Sequence, residues 1–267
     1  MWFFPLYDDN KTLDRPHVTW VILAACVLAY FWQMGLGDGE GEAILALGMI
    51  PARIFGFGEF PPELIWVPSY LTIFTSMFLH GGFLHLAGNM LYLWIFADNV
   101  EDSMGPLRFS ILYIASGIVA ALSQSFVDTS STTPMIGASG AIAGTLGAYL
   151  MLHPRANVRC LVGFFIFFRR INIPAAIVLL FWIGLQFWNL SDSQSNVAYW
   201  AHIGGFITGA ALIPFLRRPD VPLFAKSQSK AFDMSPMQRA HIPTIAPQTP
   251  QSRDKPSRPE RRHPWDG

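Results

Sequence analysis

The sequence predicts an all-α membrane protein, a bundle of six transmembrane helices followed by a disordered C-terminal tail, and three observations carry that reading. Of its 267 residues, 52% are hydrophobic and 13% charged, with a mean hydropathy of +0.34, whereas soluble domains carry roughly a quarter charged residues. Apolar runs long enough to cross or enter a bilayer recur between residues 18 and 216, each bounded by polar, Gly or Pro punctuation. Lys and Arg cluster near the N-terminus, in the turn between runs two and three, in the connection between runs four and five, and at the C-terminus. The loops between runs three and four and between runs five and six hold none. By the positive-inside rule both termini are cytoplasmic, and the Ser139 end of the fourth run faces outward.

Residues 1–17 mix Trp2, Phe3 and Phe4 with Asp8, Asp9, Lys11 and Arg15, which suits an interfacial lead-in. The first span is Val18 to Leu36; it is longer than a signal-peptide core of about 7–15 residues and is expected to stay in the mature protein. Residues 37–69 alternate Gly, Pro and acidic residues with short apolar patches and are expected to lie in the membrane interface. A long apolar stretch from Tyr70 to Asn99 breaks at Gly81-Gly82, placing the second span at about Phe83 to Phe96, with a polar turn over Asp98 to Arg108. The third span covers Leu107 to Phe126. The fourth runs from Ser139 to Leu152 and stops at His153-Pro154, because proline cannot easily continue a helix. At about 1.5 Å per residue it covers only some 20 Å of a core about 30 Å thick, so Ser139 lies within the membrane profile. Asn157 to Asn172 reads as an interfacial connection flanked by arginines. The fifth span is Ile173 to Leu190 and the sixth Tyr199 to Leu216, ended by Arg217-Arg218-Pro219. Residues 1–218 thus form one transmembrane domain. Residues 219–267, rich in Pro, Ser, Gln and basic side chains, form the tail. Cys26 and Cys160 have no plausible disulfide partner.

Polar groups inside spans cost several kcal/mol unless they face protein or water, which makes each a functional candidate. They are Ser139 on span four, His202 on span six, and His85 with Asn89 on span two. Ser139 lies in Met135-Ile136-Gly137-Ala138-Ser139-Gly140-Ala141, where small neighbours leave its hydroxyl open. Gly140 with Gly144, and Gly205 with Gly209, form two Gly-x-x-x-Gly faces that let helices approach closely enough to bring the His202 imidazole to the Ser139 hydroxyl. A serine attacks only when a base takes its proton, and histidine suits that task at neutral pH. His85 and Asn89 are four apart, on one helical face, and with the Ser139 backbone N–H supply donors for a tetrahedral oxyanion. No Asp or Glu is placed to orient His202, so a dyad without a third member is expected.

Gly137-Ala138-Ser139-Gly140, Ala201-His202 followed by Gly205 and Gly209, and His80-x-x-x-x-His85-x-x-x-Asn89 together resemble the rhomboid intramembrane serine proteases, over roughly residues 1–218. The resemblance implies a six-helix bundle in which Ser139 is the nucleophile, His202 the general base, and His85, Asn89 and the Ser139 N–H the oxyanion hole. It implies a structural role for Glu101. It also implies an endopeptidase that cuts transmembrane substrates near the extracytoplasmic face, in a bacterial inner membrane, with no cofactor and no metal. Transmembrane substrates and the lipid bilayer are the expected partners, and nucleic acid is not. Some rhomboids carry a tyrosine four residues after the serine that packs on the histidine; this position is Ala143. A Trp-Arg pair of the first loop in some members is not evident, since Val67 follows Trp66.

Three other readings compete. A client-binding relative without activity usually lacks the serine or the histidine, and both are here. A zinc protease built on His80, His85 and His202 lacks the His-Glu-x-x-His helix that supplies ligands and base together. A transporter would carry an internal repeat or a paired intramembrane carboxylate, and neither is present.

Overall fold

The structure, a computed structural model, describes residues 2–57, 59–164, 167–192, 195 and 197–226. Its order is β1 (Trp2–Asp8), α1 (His17–Gly35), α2 (Glu40–Leu47), α3 (Pro51–Phe55), α4 (Thr72–Thr75), α5 (Phe83–Met104), α6 (Pro106–Ser125), α7 (Ser139–Leu152), β2 (Asn157–Phe164), β3 (Phe167–Pro174), α8 (Ala175–Trp188) and α9 (Tyr199–Leu216), with short 3-10 turns between. Among the described residues α1, α6 and α9 are long and apolar enough to cross a membrane. A fourth crossing is added if α5 and the segment Pro62–Phe78, bent by 81° at their break, count as one span; α7 and the helical stretch Ala175–Ser191 are apolar but shorter. The outer surface is greasy: Leu28, Leu84, Trp188 and Phe215 are 68–84% exposed. An apolar belt of this kind is stable only against lipid, and the chain is an integral membrane protein.

At the centre stands α7, which packs against α9, α6 and α5. Ala143, Leu146, Ala148, Tyr149 and Leu152 have no exposed surface. A helix that is apolar on every side and built from Gly and Ala over its first half can be enclosed all round without holding its neighbours apart.

Two expectations are corrected. The protein is not wholly helical: β1, β2 and β3 form an antiparallel sheet in that order, with Phe4 opposite Leu161 and Val158 opposite Ile173. The stretch read as an interfacial connection is therefore a hairpin, and the N-terminal lead-in is its third strand. The partners of β1 lie some 150 residues away, which local pattern does not register. The expected polar turn over Asp98 to Arg108 is likewise the last turns of α5, a single Gly105 at φ +86°, and the proline-led start of α6.

Tertiary partners are what keep the acidic end of α5 helical. Glu101 accepts hydrogen bonds from the Val18 and Thr19 amides (2.9 and 2.8 Å) and from the Thr19 hydroxyl (2.8 Å). It thereby caps α1, whose own preceding residue, Pro16, caps nothing, and a carboxylate there also suits the helix dipole. Asp102 receives the Leu13 and Asp14 amides, and Asn99 donates to Asp8 at 2.9 Å. In the connection after α1, the buried Arg53 ties the carbonyls of Ala46 and Val67 at 2.9 and 2.6 Å. Residues 219–226, the first of the stretch read as a tail, are placed as well. The Phe224 and Ala225 amides bond the Met151 and Leu152 carbonyls at 2.8 Å, satisfying acceptors that the end of α7 leaves free. Residues 227–267 of that expected tail lie outside the described residues.

Asp8 joins the sheet to the bundle by accepting from the Tyr149 hydroxyl as well as from Asn99. Burial pushes its carboxyl up to about 7, with the Tyr149 hydrogen bond opposing and the neighbouring Asp98 and Asp9 reinforcing the rise. A folded-state value above the unfolded one means that the folded protein binds the extra proton, so stability is greatest below the unfolded value and falls as pH rises through about 7. Raising the pH from about 5 to about 8 is expected to lower the thermal midpoint of the wild type more than that of Asp8→Asn, which keeps the acceptor without the charge. Equal pH dependence of the two in a detergent melting series would contradict this account.

Candidate active site

Ser139 is the first residue of α7. The loop before it is pinned by the Met135–Met49 bridge and by the Gly137 amide, which donates to the Ser76 carbonyl at 2.8 Å. Gly137 sits at φ +123°, a conformation side chains avoid, and a Cβ there would stand 2.8 Å from the His85 ring. Glycine is needed here on both counts.

The serine hydroxyl lies 2.9 Å from His202 Nε2 on α9. Small residues make this possible. A Cβ on Gly205 would overlap the Gly140 carbonyl oxygen, and one on Gly209 the Gly144 carbonyl oxygen, while Gly144 also receives the Ser116 side chain from α6. Backbone therefore meets backbone along the α7–α9 crossing, and the imidazole two turns along is held at the hydroxyl. Gly147, against the Phe206 carbonyl, and Gly204, against Ser123, extend this close packing beyond the four glycines named from the sequence.

Across an open cavity of about 820 Å³ from this pair stand His85 and Asn89 of α5, with Ile136 and Trp182 on its walls. The Gly81 amide approaches His85 Nδ1 at a long 3.4 Å, an arrangement that suits a proton on Nε2, which lies on the side of Gly137. Asn89 is buried, and its Nδ2 has no hydrogen-bond partner among the described residues. Ser139, Gly140 and Ala141 of the first turn of α7 line the same cavity, and the first-turn N–H groups of a helix lack intrahelical acceptors and stand at the positive end of its dipole. His80 packs edge-on to His85 at 5.2 Å, and its ring Nδ1 is 3.1 Å from the Phe78 carbonyl. Among the described residues no three His, Cys, Asp or Glu side chains gather as metal ligands.

Two side chains on α8 were not singled out by the sequence analysis. Gln186 Oε1 lies 2.8 Å from His202 Nδ1, and the Trp182 ring lies 5.5 Å from the imidazole at 39°. Among the described residues an amide, not a carboxylate, stands at Nδ1. Trp182 packs on the His202 imidazole from α8, whereas Ala143 of α7 offers no ring. A signal was present: Gln186 is the only amide within α8, and intramembrane polarity is itself a pointer. A search for a carboxylate passes over it.

The rhomboid domain family model matches residues 68–219. The chain is 31% identical over 215 residues to the rhomboid protease GluP of Bacillus subtilis (strain 168), covering 79% of this chain and 37% of that protein. It is 31% identical over 207 residues to the mitochondrial RHOMBOID-like protein 12 of Arabidopsis thaliana, covering 67% and 59%. To the rhomboid protease GlpG of Salmonella choleraesuis (strain SC-B67) it is 25% identical over 213 residues, covering 78% and 66%. The aligned region thus spans about a third to two thirds of the length of these relatives.

Proposed function

We propose that this chain, which belongs to the rhomboid family, is an intramembrane serine endopeptidase that cuts transmembrane segments of other membrane proteins with a Ser139–His202 pair. The observation that carries the reading is the 2.9 Å contact between the Ser139 hydroxyl and His202 Nε2, with His202 buried in a membrane bundle, where polar groups are costly to keep without a task. Ser139 Oγ attacks the scissile carbonyl carbon as its proton passes to Nε2. The carbonyl oxygen, now an oxyanion, takes hydrogen bonds from Asn89 Nδ2, His85 Nε2 and the Ser139 N–H. As the C–N bond breaks, Nε2 returns the proton to the leaving nitrogen, and water then repeats the sequence on the acyl-serine. Carbonyls in a regular helix are hidden, so the substrate must unwind at the cut, which favours small or helix-breaking residues there.

The same reading places six helices in the bilayer and both termini in the cytoplasm of a bacterial cell. A single cysteine in the 191–196 loop is expected to react with impermeant thiol reagent from outside, and one in the tail is not; the reverse labelling would invert the orientation.

Purified protein is expected to cleave a test transmembrane substrate with no effect of chelators. Asn89→Ala is expected to lower kcat by about 10²-fold to 10³-fold, as loss of one oxyanion donor does, with KM nearly unchanged because the interaction belongs to the transition state. A change confined to KM would place Asn89 in substrate binding.

A further inference from the structure

We propose that Gln186 is a positioning residue for His202, acting through a neutral amide that fixes which imidazole nitrogen carries the proton. The proposal rests on the Ser139–His202 reading and specifies how that pair is held.

The geometry decides the direction of each hydrogen bond. Gln186 Nε2 donates to the Trp182 carbonyl one turn back, at 3.0 Å. That bond fixes the amide orientation, since a flipped amide would set its oxygen against the carbonyl oxygen. Oε1 therefore faces His202 Nδ1, at 2.8 Å, and having only lone pairs it must accept. Nδ1 carries the proton, and Nε2 is left with its lone pair towards the Ser139 hydroxyl 2.9 Å away. The imidazole is in the one tautomer able to take the serine's proton. Trp182 and Gln186 are four apart on α8, so one helical face supplies both the ring packed on the imidazole and the acceptor for its N–H. Gln186 and His202 are 8% and 9% exposed, so water competes little for Nδ1.

An amide orients without charge. When Nε2 takes the serine's proton, the imidazolium that forms keeps its Nδ1–H on Oε1 and gains no ion pair there. A carboxylate at this position would stabilise that cation and make the resting histidine easier to protonate.

The test is a pH series of kcat and KM on a transmembrane substrate for wild type, Gln186→Glu, Gln186→Leu and His202→Ala, with melting of each. Gln186→Leu, which removes the acceptor, is expected to lower kcat about 10-fold to 100-fold with KM held. Gln186→Glu keeps the shape and the acceptor; it is expected to retain activity and to move the acid limb of the profile to higher pH by about one unit. A residue that only packed would leave that limb in place. If Gln186→Glu folds with an unmoved limb, or Gln186→Leu folds with unchanged kcat, while His202→Ala is inactive, Gln186 has no positioning role and the Ser139–His202 pair stands. If His202→Ala is fully active, the underlying reading fails instead.

Discussion

Ser139→Ala is expected to abolish both cleavage and labelling by a fluorophosphonate probe. The probe phosphonylates a serine only where a base can take the proton and the oxyanion is supported, which singles out one hydroxyl among many. On the proposed reading Ser139 meets both conditions: Nε2 of His202 lies 2.9 Å away, and Asn89 offers a buried donor without a partner among the described residues. His202→Ala removes the base and keeps the donors, so labelling should fall steeply and cleavage by about 10²-fold to 10⁴-fold, the range general-base catalysis supplies. Equal cleavage by wild type and Ser139→Ala would overturn the serine-protease reading. Absence of labelling and cleavage in every lipid and detergent, by folded protein, would favour a client-binding protein.

Gly209→Ala is expected to be the most damaging of the smallest possible substitutions. Its single methyl would overlap the Gly144 carbonyl oxygen and crowd the Gly144 backbone. Neither neighbour is a side-chain end that can swing away, so α7 and α9 must separate. Overpacking of this kind costs about 1–3 kcal/mol, more than the roughly 1 kcal/mol that alanine gains over glycine in a helix. Separation also withdraws His202, two turns along α9, from Ser139, so activity should fall with stability. Gly184 of α8 is the control, because a Cβ there meets nothing within 4 Å. Gly184→Ala should be neutral or stabilising by up to about 1 kcal/mol. Parallel melting and cleavage assays on the two variants check this, and equal tolerance at both positions would show that the crossing is not held by backbone contact.

The membrane class and the ends of most helices were legible in the sequence because their causes are local. Apolar run length, the Gly81-Gly82 break, Pro154 and Pro219 act within a few residues, and α7 and α9 begin and end where those signals place them. Residue types also revealed the chemistry on offer: a serine, two histidines and an asparagine stand out where nearly everything else is apolar. The rest depends on partners far away in the chain. β1 is a strand because β2 is there to pair with it. The acidic end of α5 stays helical because Glu101 finds the unsatisfied amides of α1, 82 residues away. Trp182 looks like an ordinary member of an apolar helix, and Gln186 is a lone amide with no evident partner, until α8 lies against α9 and turns that face to His202. Sequence spacing orders side chains along one helix, but which face of the next helix they meet is settled only when all the helices pack, since close packing admits few arrangements and none is encoded in a single segment.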